Sequence, residues 1–243
     1  MRRPLVPALL ALLALPAGAQ ELPPRVRRVV LHVLGGPMYA RPEQRFAFLT
    51  PPETFALWQP YLGAHWIVWT DGTLWPRRPR SGEPPSRRVP PDDPAAERAR
   101  LAREALPAYA HAFGHNADTL GVELSHSGRS GDAYPQAQIA AVAWLLRALL
   151  EMSEGRLAPK DIVGHKDLDR RPAYADDGCE HARCPVFVDE NGRPYRRRVD
   201  PPEALFERLR QEGLEIPRPA DGDTELLRAE RIPASVRPAV RQR

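Results

Sequence analysis

With 243 residues, 42% of them hydrophobic, the chain can bury one substantial core and does not require a second full domain. Its formal charge of +4 falls to +2 once Arg2 and Arg3 are set aside, leaving 33 Lys plus Arg against 31 Asp plus Glu, a balance that gives no reason to expect nucleic acid. The basic residues are almost all arginine, with Lys160 and Lys166 the only lysines, and together with 29 prolines this is a compositional bias that implies no partner.

The opening MRRPLVPALLALLALPAGAQ joins two arginines to an apolar run and to the small residues Ala17, Gly18 and Ala19, the pattern of a cleaved secretory signal over residues 1–19. The run is short for a membrane span and no later segment reaches spanning length, so the mature protein is expected to be secreted, periplasmic or extracellular, without membrane attachment. An uncleaved N-terminal anchor is the alternative.

RVRRVVLHVLGG (25–36) is a β-branched run closed by two glycines, a buried strand with His32 near its end. PPETFALWQPYLG (51–63) opens on proline and closes on glycine, as short helices do. AHWIVWTDGTLWP (64–76) places two runs around Asp71 and Gly72, a hairpin signal, and its Trp66, Trp69 and Trp75 are assigned to the core. Residues 77–95, rich in arginine and proline, are expected to form a loop. TLGVELSH (119–126) is a further strand with Glu123 inside it. YPQAQIAAVAWLLRALLEM (134–152) sets Ile139, Val142, Ala143, Leu146 and Leu150 at helical spacing behind an early proline.

DIVGH (161–165) reads as another strand, PVFVDENGRPYRRRVD (185–200) as a hairpin turning at Asn191 and Gly192, and PPEALFERLRQEG (201–213) as a closing helix. A polar, proline-containing tail fills 214–243. Strands and helices alternate without a strict pattern and there is no internal repeat, so the expected fold is α/β, a mixed central sheet flanked by helices. The domain occupies residues 20–213.

Cys179 and Cys184 lie in GCEHARC, and in an exported chain the oxidising compartment favours a disulfide between them. Two thiolate metal ligands would be the rival, but no second pair completes a four-sulfur site. His32, His165 and Asp200 each stand at the rim of a sheet element. Two histidines and a carboxylate, with one position left for water, make a catalytic zinc site, although sequence separation alone does not show that they converge.

Six pieces in order, VVLHV, AHWIVWTDGTLWP, HAFGHNADTLGVEL, YPQAQIAAVAWLLRALL, IVGHKDL and RRRVDPP, resemble the zinc-dependent N-acetylmuramoyl-L-alanine amidases of the amidase-2 type, relatives of the peptidoglycan recognition proteins. The resemblance runs over about residues 26–212. It implies hydrolysis of the amide between the lactyl group of N-acetylmuramic acid and the L-alanine of the stem peptide, in peptidoglycan or in muropeptides. It also implies Zn2+ held by His32, His165 and Asp200.

Glu123 in GVEL matches the carboxylate that some of these enzymes use on this strand. On an apolar strand its pKa should be raised, which suits a base that takes a proton from the attacking water and passes it to the leaving amine. Arg198, where relatives often have lysine, is expected to stabilise the oxyanion, with a planar fork in place of a point charge.

The chain departs from the family at Val33 and Leu34 after the first ligand, and in the insertions at about 77–95 and 170–195. RCPVF resembles the cysteine ligand context of some phage relatives, which keeps Cys184 as a rival third ligand. The loop of His111 and His115 matches one that in relatives lines the substrate groove, and structural loop histidines are the equal alternative. His65, His126 and His181 are left without a role. A peptidoglycan-binding module that has lost turnover is the alternative function, and a zinc peptidase acting within the stem peptide a more distant one. The sequence carries no signal of oligomeric state.

Overall fold

The strands Arg28–Val33 (β1), Trp66–Val68 (β2), Thr73–Pro76 (β3), Arg87–Arg88 (β4), Thr119–Leu124 (β5) and Ile162–Gly164 (β6) form one sheet in the spatial order β4-β3-β2-β5-β1-β6. β2, β5, β1 and β6 run parallel, and the β2–β3 and β3–β4 pairs are antiparallel. This is the mixed sheet that the sequence led us to expect. The structure is a computed structural model and describes residues 21–33, 63–79, 81–112, 114–126, 133–168, 173–174, 186–188, 194–196 and 200–218. The helices are Pro94–Glu104 (α1), Gln136–Met152 (α2), the short His165–Leu168 (α3) and Glu203–Gln211 (α4). A second small sheet joins Ala173–Tyr174 (β7), Pro194–Arg196 (β9) and Val186–Val188 (β8) in the order β7-β9-β8, all antiparallel.

Successive strand side chains point to opposite faces, so the sequence sorts itself by parity. Val29, Leu31, Val33, Leu120, Val122, Leu124, Trp66, Val68, Leu74 and Ile162 share one face and belong to a single buried cluster. Ile139, Val142, Leu146 and Leu149 of α2 and Leu205 and Leu209 of α4 join the same cluster. Each large aliphatic side chain buried in this way contributes about 1.5–3 kcal/mol. The opposite face carries Val30, His32, Thr119, Gly121, Glu123, Ile67 and Trp75. All three tryptophans expected in the core are buried; Trp66 belongs to that cluster, and Trp69 and Trp75 lie beside it and meet edge to face, their ring centroids 6.2 Å apart.

The β2–β3 turn forms where Asp71 and Gly72 place it. Gly72 takes φ of 82°, and a Cβ there would lie 2.7 Å from the carbonyl oxygen of Ala137, so this glycine lets the turn rest on the start of α2. Asp71 accepts hydrogen bonds from the backbone N–H and the hydroxyl of Thr73.

Three expectations change. Residues 77–95 are not all loop, since β4 forms at Arg87–Arg88 and α1 opens at Pro94 with Asp93 accepting from the N–H groups of Ala95 and Ala96. The arginine-rich pair becomes a strand because the Arg87 guanidinium bonds Glu97 and Glu104 of α1, which pins the edge of the sheet to that helix. His165 opens α3 and does not end β6. Past residue 213, Leu214 and Ile216 are buried in the core cluster, so the first residues assigned to the tail pack with the domain.

The signal segment, the helix expected at 51–63 except its final Gly63, Cys179, His181, Cys184, the turn at Asn191 and Gly192, and Arg198 lie outside the described residues. Among the described residues, no helix is long and apolar enough to cross a membrane.

Candidate metal centre

β1 is central and its Leu31 register partner on β6 is Gly164, so the chain leaving β6 arrives at His165 beside His32. Gly164 makes room at that corner. A Cβ on it would lie 3.0 Å from the Asp167 carboxylate and 3.1 Å from the Pro201 ring, and the same carboxylate accepts the Gly164 N–H at 2.7 Å. The N–H of Lys166 donates to the carbonyl of Asp200 at 2.9 Å, which ties the segment before α4 to the residue that follows His165.

These connections bring three buried donors together. His32 Nδ1 lies 3.1 Å from His165 Nδ1, and Asp200 Oδ2 lies 3.8 Å from the first and 3.4 Å from the second. A tetrahedral ion bound at about 2.0–2.2 Å holds its donor atoms about 3.3–3.6 Å apart, and the three spacings bracket that range. Their exposures are 3%, 7% and 4%, so the carboxylate is buried between two imidazoles, an arrangement that costs several kcal/mol unless positive charge compensates it. A cation shared by the three atoms would supply such charge. The residues therefore fit a metal ion.

Around this group the polar contacts continue inward. His32 Nε2 is 3.1 Å from His111 Nδ1, and His111 Nε2 is 3.1 Å from Thr119 Oγ1. Burial holds the His111 imidazole down to about 4, outweighing its bond to Thr119, and it stays neutral near pH 7. Asn116 fixes the loop by accepting the backbone N–H groups of His111 and Ala112, each at 2.8 Å. His65, held down to about 3 chiefly by burial and then by His111, donates from Nε2 to the Pro107 carbonyl and accepts the Gly121 N–H at Nδ1. It joins the loop to β5.

Glu123 is half-buried, and its register partners are His32 on β1 and Ile67 on β2. Residues in register on parallel strands share a face, and neighbouring strands lie about 4.8 Å apart, so Glu123 and His32 project from adjacent positions on the same face of the sheet.

The family of N-acetylmuramoyl-L-alanine amidases, amidase-2, matches residues 22–187. The chain belongs to this family. No curated protein matches it. Solved structures similar to the amidase include the endolysin N-acetylmuramoyl-L-alanine amidase LysCS from Clostridium intestinale, 16% identical over 63% of this chain and 75% of that one with a TM-score of 0.37. A second is the Escherichia coli amidase AmiD in complex with anhydro-N-acetylmuramic acid-L-Ala-D-γ-Glu-L-Lys, at 18% identity, 60% and 50% coverage and a TM-score of 0.32. A third is AmpDh3 from Pseudomonas aeruginosa, at 18% identity, 78% and 60% coverage and a TM-score of 0.38.

Of the residues singled out from the amidase sequence, His32, His165 and Asp200 meet, with Glu123 on the neighbouring strand. His111, for which the sequence left a groove contact and a structural loop role both open, is buried with its ring bonded to His32 and Thr119. His126 stacks on Tyr134 with ring centroids 3.7 Å apart, a packing contact. Sequence reasoning missed Thr119, Gly121 and Asn116; a glycine and a threonine at alternate positions leading to Glu123 were the signal that this face of β5 makes room for something.

Proposed function

We propose that this amidase hydrolyses the bond between the lactyl carbonyl of N-acetylmuramic acid and the L-alanine nitrogen of the stem peptide, using one zinc ion held by His32, His165 and Asp200. The observation that carries this reading is the convergence of three buried donors, with spacings that suit a tetrahedral ion, in a chain of this family. Two nitrogens and one carboxylate oxygen are a borderline donor set of the kind zinc takes, and three protein ligands leave a position for substrate or water. When bound, zinc supplies Lewis acidity, which polarises the amide carbonyl and lets water react near neutral pH.

The chain's own residues supply the rest. Glu123, in register beside His32, accepts the proton of the attacking water on its carboxylate and returns it to the alanine nitrogen, so that the C–N bond breaks to leave a neutral amine. Arg198, two residues before Asp200, offers positive charge to the oxygen that becomes anionic. The N-terminal sequence supports action outside the cytoplasm, on peptidoglycan or on its soluble fragments.

Mass analysis of a muropeptide digest by the zinc-loaded protein tests the reading. The expected products are a glycan ending in free lactyl carboxylate and a peptide beginning with L-alanine. Cleavage inside the stem peptide would make the protein a peptidase. Tight muropeptide binding without cleavage would make it a recognition module.

A further inference from the structure

The proposed chemistry uses His32, His165, Asp200 and Glu123 and leaves His111 unexplained, although this histidine is 8% exposed and touches a metal-site residue directly. We propose that His111 is a positioning residue: it accepts the Nε2 proton of His32 and so holds that imidazole in the one tautomer whose Nδ1 lone pair faces His165 and Asp200. The inference rests on the metal-centre reading above.

Proton bookkeeping along a chain of four groups supports it. Thr119 Oγ1 has a single proton, and it lies 2.6 Å from the backbone carbonyl oxygen of His115, which can only accept. That proton is committed. Toward His111 Nε2, 3.1 Å away, the hydroxyl can then only accept, so His111 carries its proton on Nε2. An imidazole with its one proton on Nε2 presents a bare Nδ1 to His32 Nε2 at 3.1 Å, and His32 is then the donor. With its proton there, His32 has its free lone pair on Nδ1, the atom 3.1 Å from His165 Nδ1 and 3.8 Å from Asp200 Oδ2. A ligating histidine is oriented and made more basic in this way by the partner of its other nitrogen.

The backbone is shaped to hold the relay. A Cβ on Gly121 would lie 2.8 Å from the His111 ring, so the ring occupies space that only glycine leaves open on β5. Asn116 holds the His111 backbone N–H, and the His65 and His111 rings meet edge to face with centroids 5.8 Å apart.

Two variants separate positioning from space filling. His111→Leu fills the site without an acceptor, whereas His111→Asn places a carbonyl oxygen near the position of Nδ1. In competition with a chromophoric chelator, His111→Leu should bind zinc about 10- to 100-fold more weakly than wild type, the usual cost of losing such a partner, and His111→Asn should recover most of the loss. Wild-type zinc affinity in His111→Leu, or equal weakening in both variants, would overturn the proposal. Nitrogen-15 NMR of the metal-free protein at mildly alkaline pH reads the tautomer directly: His32 protonated on Nε2 in wild type and mixed in His111→Leu. A wild-type His32 protonated on Nδ1 would also overturn it. That arm needs no metal, so it decides the question even if wild type takes up no zinc, the result that would instead sink the zinc reading.

Discussion

The two faces of the central sheet are built from the same strands, and both are buried, yet they differ in kind. On one, aliphatic residues of β1, β2, β5 and β6 meet α2 and α4 in a single apolar cluster. On the other, residues one position along the same strands are His32, Glu123, Thr119 and Gly121, with His111 laid across them. The first face is mostly apolar, and its few polar groups are paired, as the Trp66 indole N–H is with Glu104 and the Gln138 amide with the Val68 carbonyl. The second sets polar groups among Val30, Ile67 and Trp75, and several of them pair with one another and, in our proposal, with an ion. The difference teaches that substitutions in adjacent positions of one strand should fail in different ways, one by unfolding and the other by losing chemistry.

The sharpest break is expected at Asp200. Asp200→Ala should abolish stoichiometric zinc and all measurable hydrolysis, while the metal-free variant keeps the far-ultraviolet circular dichroism of metal-free wild type. Retained zinc would show that the ligand lies elsewhere. Next in size is Glu123→Gln, which keeps shape and removes the titrating oxygen. Zinc content should be unchanged while the rate falls by roughly 10² to 10⁴, and undiminished turnover would reassign the base.

On the helix-packed face, Leu146→Ala removes a fully buried side chain of α2 and should cost about 2–5 kcal/mol of stability in urea unfolding. At low temperature the folded fraction should still bind one zinc. Loss of metal without loss of stability would erase the distinction between the faces.

The smallest effect concerns His65, whose folded pKa of about 3 lies below its ordinary 6.5. The unfolded chain therefore binds the proton first as pH falls. The stability contributed by the neutral imidazole is fully present above 6.5 and is lost progressively from there down toward 3, by at most about 1.4 kcal/mol per pH unit. His65→Gln has no such term. In metal-free protein the stability gap between wild type and variant should narrow by about 2 kcal/mol between pH 6.5 and about 4.5, and a constant gap would mean that His65 is not held neutral by burial.

Much of the fold was legible because period and punctuation agree. The β-branched run of β1, the Asp71–Gly72 turn and the helical spacing of Ile139, Val142 and Leu146 each point one way, and the structure has those elements. Helix α1 was missed although Asp93 and Pro94 are an ordinary helix start, because the arginine- and proline-rich stretch before it reads as loop. β4 has only two residues and no alternation to read; its place is set by the ion pairs of Arg87, which are tertiary. His32, His165 and Asp200 were legible as residues, since each stands beside a strand or helix end, but their convergence depends on the strand order β5-β1-β6. His111 was legible only as a loop residue, because what turns it inward is the absence of a side chain at Gly121, ten residues further along the chain.

Zinc-edge X-ray absorption of the zinc-loaded protein bears most directly on the central claim. Ligation by His32, His165 and Asp200 predicts a first shell of nitrogen and oxygen only, at about 2.0–2.1 Å, with the multiple scattering of two imidazoles. A sulfur at about 2.3 Å would contradict it and transfer the third position from Asp200 to Cys184.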